Sequence, residues 1–196
     1  MRHAKGHPGL QRGFGLIEVL ITMLVLAVGM LAAASLELFS KRSNFDAAQR
    51  TAAANLAQDL LERMRSNPKG LIDYIPAAEI GGGTLANAPP SDCGDPATAC
   101  NATDVANFDL WQWEQAVDGA MEQTDGVVTG GLAQPTACIA GPLAGGSGNY
   151  EVAIAWRGMN ETTDPDMDDC GAGSGKYGDD DTYRRVLVIR TFISAT

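Results

Sequence analysis

Glu18 is the one ionisable residue between Arg12 and Glu37, and it borders a long apolar run. The eighteen residues from Val19 to Leu36 carry no charge, which is close to the length that a helix needs to cross a bilayer. A glutamate in the middle of a bilayer costs about 2–3 kcal/mol on membrane-insertion scales, and charges inside membranes generally serve a function. A buried charge also needs an opposite charge or hydrogen-bond partners to compensate for its lost hydration. Glu18 is therefore the first candidate for a functional contact.

A short basic segment, residues 1–13, precedes the apolar run and holds Arg2, Lys5 and Arg12 but no acidic residue. Positive residues before an apolar segment keep that end in the cytoplasm, so we expect the rest of the chain on the opposite side. A secretory signal peptide is an alternative, because residues 32–34 are alanines and offer a cleavage site before Ser35. A plain membrane anchor is another, although it gives Glu18 no role.

The helical pattern continues well beyond the apolar run. Glycine and proline are absent after Met30 until Pro68, and apolar residues recur at spacings of three and four. We expect one helix from Phe14 to about Ser66, ended by Pro68 and Gly70. Its predicted apolar face consists of Phe45, Ala48, Ala52, Leu56, Leu60 and Met64.

Later segments predict one more helix and an antiparallel pair of strands. Residues 104–122 have a mainly apolar face and predict the helix, while residues 150–157 and 183–193 alternate like strands. A polar loop of residues 158–182 joins the two strands, and a lone pair needs a third strand or a packed helix to be stable. The sequence thus predicts an α+β fold in which a long N-terminal α-helix packs on a small antiparallel sheet.

Four cysteines, all outside the apolar run, suggest disulfides in an exported domain. Cys93 and Cys100 enclose a short loop that can close on itself, which would leave Cys138 to pair with Cys170. We favour this pairing, although four cysteines allow three. A zinc site is disfavoured because the sequence has no CxxC motif and both histidines, His3 and His7, lie in the basic leader.

Charge and motif content argue against several classes of function. Residues 44–196 hold twenty-two Asp and Glu against nine Lys and Arg, a surface that repels nucleic acid. No histidine follows the leader, so a Ser-His-Asp or Cys-His site cannot form. We therefore predict no enzymatic activity, no cofactor and no metal. Residues 164–169 are rich in aspartate like a calcium loop, but they depart from the EF-hand pattern, and we favour a solvated loop or a partner surface.

The segment Gly13-Phe14-Gly15-Leu16-Ile17-Glu18-Val19-Leu20 resembles the N-terminal signal of type IV pilins and pseudopilins. Gly15 stands where that family usually has threonine or serine. The resemblance implies cleavage between Gly13 and Phe14 by prepilin peptidase and methylation of the new amine on Phe14. It also implies that Glu18 makes a contact between subunits.

Within this family the chain is most similar to minor pilins of the PilV type, and the middle of the first helix lacks the proline that many major pilins have. The similar segments are residues 18–21, 28–31, 57–68, 108–113 and 150–156. The implied role is a non-enzymatic subunit that helps to prime pilus assembly and sits at the pilus tip. Its partners would be other minor pilins, the major pilin, prepilin peptidase and the inner membrane, with no nucleic acid.

The implied domain organisation has four parts. Residues 1–13 would be a cleaved leader, residues 14–36 the transmembrane half of the first helix, residues 37–67 its amphipathic half and residues 68–196 a periplasmic globular domain. Two alternatives stay open: a pseudopilin of a type II secretion system, and a membrane-anchored binding or adhesin module.

Overall fold

The computed structural model describes residues 13–85, 87–120, 122–125, 127–128, 130–142 and 144–195. The basic leader predicted at residues 1–13 thus lies outside the described residues except for Gly13. The chain divides into two compact units, residues 1–41 and 42–196. The second unit is called the head below.

The first helix, α1, spans Leu16–Ser66, close to the predicted bounds. Glu18 occupies its first turn, while Arg63 and Arg65 occupy its last turn, as the helix dipole favours. The helix stops where Asn67 precedes Pro68, and a 3₁₀ helix over Pro68–Tyr74 follows.

One face of α1 is buried in the head, and it begins later in the chain than the sequence predicted. Phe45 and Ala48 were expected on this face, but both are exposed. Ala52 and Leu56 are partly buried at its border. The buried face of α1 consists of Ala53, Ala57, Leu60, Leu61 and Met64. The buried face starts later than predicted because the core covers only the last few turns of α1.

The sheet that shares this core has three antiparallel strands. β4 spans Gly148–Arg157 and β5 spans Arg184–Ile193, which are the two predicted strands, and they pair antiparallel. The third strand, β3 at Thr136–Ala140, pairs with β4 and was not assigned from the sequence. A separate two-residue ladder joins β1 (Gln123–Thr124) to β2 (Val127–Val128).

The second helix, α2, spans Ala102–Val117. It starts two residues before the predicted start at residue 104 and ends five residues before the predicted end at residue 122. Asn101 and Asp104 form a reciprocal capping box at its start. After α2, Gly119 adopts a left-handed conformation with φ of 68°. A Cβ at Gly119 would lie 2.1 Å from the carbonyl carbon of Gly130, so this close backbone crossing requires glycine. The crossing ends the helix.

Polar groups connect α1 to α2 at the C-terminal end of α1. The Arg63 guanidinium donates to Asp59 and, 3.0 Å away, to the Asp109 carboxylate of α2. Asp109 also accepts a hydrogen bond from the buried Tyr74 hydroxyl, and burial together with this bond raises the pKa of Tyr74. The Trp113 indole is fully buried and donates to the Leu56 carbonyl at 2.8 Å. These contacts hold α2 against α1.

Glu114 is fully buried on α2 and binds a glycine-rich loop through backbone amides. Its carboxylate accepts hydrogen bonds from the amides of Gly81 (2.9 Å), Thr84 (2.8 Å) and Leu85 (2.6 Å). One turn later, Asp118 accepts from the amides of Gly82 and Gly83. Five consecutive amides are thereby satisfied by two carboxylates. Just before this loop, Ile80 forms a bridge with Ala137 of β3, which ties the loop to the sheet.

Two disulfides stabilise the later loops of the head. Cys93 is bonded to Cys100 and Cys138 to Cys170, the pairs that the sequence favoured. The second disulfide fastens the long loop between β4 and β5 to strand β3. A crosslink over a separation of 32 residues lowers the conformational entropy of the unfolded chain and thereby stabilises the fold by about 3–4 kcal/mol.

Arg184, at the start of β5, organises the same long loop from inside. Its side chain is 1% exposed and donates to the Asp164 carboxylate at 2.7 Å. It also donates to three loop carbonyls, those of Asp168 (2.7 Å), Cys170 (2.8 Å) and Pro165 (2.9 Å). A planar guanidinium with five donors suits such a set of acceptors, whereas an ammonium group does not.

Glu114→Gln tests the loop anchor. The amide keeps one acceptor but turns an NH₂ group towards backbone N–H groups, so we expect unfolding free energy to fall by about 2–3 kcal/mol. Denaturant unfolding of the full chain in detergent, followed by tryptophan fluorescence, measures it. Glu62→Gln, at an exposed residue of α1, should change stability by less than about 0.5 kcal/mol. Equal stability of the two variants would contradict the anchoring role.

Arg184→Lys tests the organisation of the long loop. Lysine retains the charge but cannot reach all four acceptors, so we expect a loss of about 2–4 kcal/mol and faster digestion at residues 164–169 by a protease that cuts before aspartate. Reducing gels report the digestion. Arg190→Lys is the control, because Arg190 is exposed and pairs with Glu151. Digestion of Arg184→Lys at the wild-type rate would show that Arg184 does not hold the loop.

Candidate functional site

The Gly13–Phe14 junction lies directly before the first turn of α1. Residues 13–15 are not helical, and the Gly15 carbonyl accepts the first helical hydrogen bonds from the amides of Glu18 (3.0 Å) and Val19 (3.3 Å). Phe14 is 84% exposed, and a Cβ placed on Gly13 would meet nothing within 4 Å. The peptide bond between them is thus open to a processing enzyme.

Glu18 is exposed in the first turn, beside the N-terminal end of the helix, where the dipole favours a negative charge. None of the ion pairs in the described part of the chain includes Glu18. The nearest acidic residue along the helix, Glu37, pairs instead with Lys41 at 2.8 Å. Within the described residues the Glu18 carboxylate is thus exposed and has no ion-pair partner.

The apolar run after Glu18 forms an exposed surface. An 18-residue window of α1 has a mean hydropathy of 2.5, and none of it is buried. At 1.5 Å per residue, such a stretch spans about 27 Å, nearly the thickness of the hydrocarbon core. By length and composition, α1 is the one helix among the described residues that could cross a membrane.

The predicted site residues fall into two separate groups. Gly13, Phe14 and Glu18 lie at the start of α1, and the four cysteines form the two disulfides of the head. Glu79 lies close to Cys138 and Cys170, a grouping that could suggest a metal site. Both sulfurs are bonded to each other, however, so this grouping offers no thiolate ligand.

The aspartate-rich segment of residues 164–169 is partly engaged with the chain itself. Asp164 binds Arg184, and the Asp168 carboxylate accepts from the Cys170 amide at 2.8 Å. Farther along, Asp181 accepts from the Gly173 amide at 2.6 Å. These carboxylates order the loop, while Asp166 and Asp169 are exposed.

Glu114 and Arg184 have structural roles that the sequence analysis did not identify. A signal for Glu114 exists, since it lies between Leu110 and Val117 on the apolar face of α2, where a carboxylate must find donors. Arg184 gives no comparable signal, because paired arginines at the start of a strand are also typical of a solvent-facing edge.

Comparison with family models gives two matches. Residues 36–111 match the model described as type IV pilin Tt1218, and residues 9–34 match the prokaryotic N-terminal methylation motif. Searches of curated proteins and of solved structures found no significant match. The α+β arrangement of a long N-terminal helix and a three-stranded antiparallel sheet is that of type IV pilins. Proteins of this kind are generally structural and not enzymatic.

Proposed function

We propose that this chain, which has the fold and the N-terminal motif of a type IV pilin, is a minor pilin of the PilV type that helps to prime pilus assembly and is placed at the pilus tip. The observation that carries the proposal is the Glu18 carboxylate, which forms no ion pair among the described residues and lies four residues after Phe14 in an otherwise uncharged span. A plain anchor or a disposable signal peptide has no use for this arrangement.

Cleavage between Gly13 and Phe14 supplies the charge that Glu18 needs. In the uncut chain the Phe14 nitrogen is an uncharged amide, and cleavage turns it into an amine that is protonated near neutral pH. In a filament, where apolar helices pack together, this cation pairs with the Glu18 carboxylate of a neighbouring subunit. Removal of one partner leaves the other buried and alone, which costs about 3–5 kcal/mol.

The proposed topology follows from the distribution of charge. The basic leader stays in the cytoplasm, residues 14–36 cross the inner membrane and the head lies in the periplasm. The acidity of residues 44–196 and the two disulfides support an exported, oxidising location. Prepilin peptidase, which acts at the membrane, would then meet the open Gly13–Phe14 junction.

The assignment to minor pilins is supported by features near the end of α1. The run Ala57-Gln58-Asp59-Leu60-Leu61-Glu62-Arg63-Met64-Arg65-Ser66-Asn67-Pro68 resembles the PilV pattern. In this run Leu60, Leu61 and Met64 enter the core, while Arg63 binds Asp109 of α2. The resemblance thus falls on residues that join α1 to the rest of the head.

Processing is tested by mass spectrometry of the protein purified from its native membrane. We expect a mature chain that begins with N-methyl-Phe14. Gly13→Val should abolish the cut, because a side chain at Gly13 has free space in the structure and would act only on recognition by the peptidase. Gly29→Val, at an equally open glycine, should be cut normally. A mature chain that starts at Met1 or Ser35 would overturn the proposal.

Assembly is tested by Glu18→Ala, with Glu37→Ala as the matched control on the same helix. We expect Glu18→Ala to be processed but to lose co-purification with the other minor pilins and to reduce the number of pili. Glu37→Ala removes only an exposed pair with Lys41 and should leave both unchanged. Normal piliation with Glu18→Ala would refute the contact, and co-purification with secretion components would favour a pseudopilin.

A further inference from the structure

A groove in the head lies between α1, the sheet and the long loop that joins β4 to β5. Its volume is about 390 Å³, within the range of binding sites for small ligands and short peptide segments. The lining residues are Asp46, Ala47, Arg50, Trp156, Pro165, Met167, Arg185 and Val186. The site described above uses none of them.

Positive charge distinguishes this groove from the acidic head that surrounds it. Arg50 is exposed and forms no ion pair in the described part of the chain. Arg185 binds only neutral acceptors, the Thr162 hydroxyl and backbone carbonyls. The one acidic lining residue, Asp46, accepts from the Met159 amide at 3.0 Å. The groove therefore has a net positive lining that suits a carboxylate.

Trp156 is a buried lining residue of the same groove. Its side chain is 3% exposed, and its Nε1 is buried without a hydrogen-bond partner among the described residues. A buried polar group without a partner costs about 1–3 kcal/mol. An occupant that brings an acceptor to this nitrogen would recover that cost.

The groove runs past the outer edge of the sheet. Arg185 and Val186 are consecutive residues of β5, so their side chains project from opposite faces, and a groove that both residues line must pass the edge between them. β5 is an edge strand, and within the described residues no strand pairs with its outer side. Its free backbone groups can therefore pair with an extended peptide.

A second copy of this chain is a poor occupant for the edge. β5 contains Arg184, Arg185 and Arg190 and no acidic residue, so pairing with another β5 would bring like charges together, which is destabilising. A strand that carries acidic residues has the complementary charge. Met167 is 63% exposed at the rim, and its flexible side chain can cover apolar residues of such a strand.

We propose that this groove binds an extended acidic peptide segment of a different polypeptide, which pairs with the outer edge of β5 and places a carboxylate beside Arg50 and Arg185. The inference does not depend on cleavage at Phe14 or on the Glu18 contact, because every residue that carries it lies in the head.

The test measures fluorescence anisotropy of a labelled peptide with the full chain in detergent micelles. The probe is a short peptide of alternating valine and glutamate, and its control replaces every glutamate by glutamine. We expect the glutamate peptide to bind about fivefold more tightly than the glutamine peptide, an advantage that high salt should remove. Equal binding of the two peptides, or no binding of either, would overturn the proposal.

Two variants locate the binding. Arg50→Ala should lower the affinity for the glutamate peptide about threefold or more. Arg42→Ala, at another exposed arginine of α1, should leave this affinity unchanged. Because Arg50 has no partner in the described chain, its loss should not affect folding. An equal effect of both variants would mean non-specific attraction to the charged helix and would overturn the proposal.

Nuclear magnetic resonance supplies a second readout from the indole N–H groups. The glutamate peptide should shift the Trp156 resonance, assigned through Trp156→Phe, and leave that of Trp113 unchanged, because Trp113 is already bonded to Leu56. Trp111, whose Nε1 is also buried and has no partner among the described residues, lies outside the groove and serves as the stricter control. A shift of Trp111 in place of Trp156 would contradict the assigned position.

Discussion

The head depends on burial of one short face of α1. Ala53, Ala57, Leu60, Leu61 and Met64 form this face and supply the apolar area that it buries. The Trp113 indole of α2 reaches the Leu56 carbonyl at the border of this face. Because both alanines are fully buried, a larger residue at Ala53 or Ala57 would overpack the core.

Two buried charged side chains, Glu114 and Arg184, order the loops of the head through hydrogen bonds to backbone groups. Loops rich in glycine have few side chains to pack, so they must be ordered through their backbone groups. Glu114 accepts hydrogen bonds from the amides of one loop, and Arg184 donates hydrogen bonds to the carbonyls of another. The two residues carry opposite charges because amides are donors and carbonyls are acceptors. In each case a single charged group fixes several loop residues, which is economical in a head with little apolar loop content.

The sequence predicted well those elements that local interactions determine, and it predicted poorly those that depend on contacts between distant segments. α1, β4 and β5 have strong local periodicity, and Pro68 ends α1 by a local steric effect, so these elements were predicted well. β3 is only five residues long, and its pairing partner is determined by tertiary contacts, so it was missed. The early end of α2 depends on a backbone crossing between Gly119 and Gly130 that periodicity does not show.

For the candidate site, the motif from Gly13 to Glu18 is local and was recognised, whereas the groove at β5 arises from segments far apart in sequence.

The positions of the disulfides have a mechanical consequence. Both crosslinks lie after the end of α1, one over Cys93–Cys100 and the other over Cys138–Cys170, so neither ties α1 covalently to the rest of the head. A pulling force that enters through α1 is therefore resisted by the buried helix face and by polar contacts such as Arg63 with Asp109 and Arg65 with Thr191. Oxidation would strengthen the head against proteolysis and heat but would add little to its resistance against extraction of this helix. The rupture force under axial load is set by non-covalent packing, and the covalent links protect what remains after rupture.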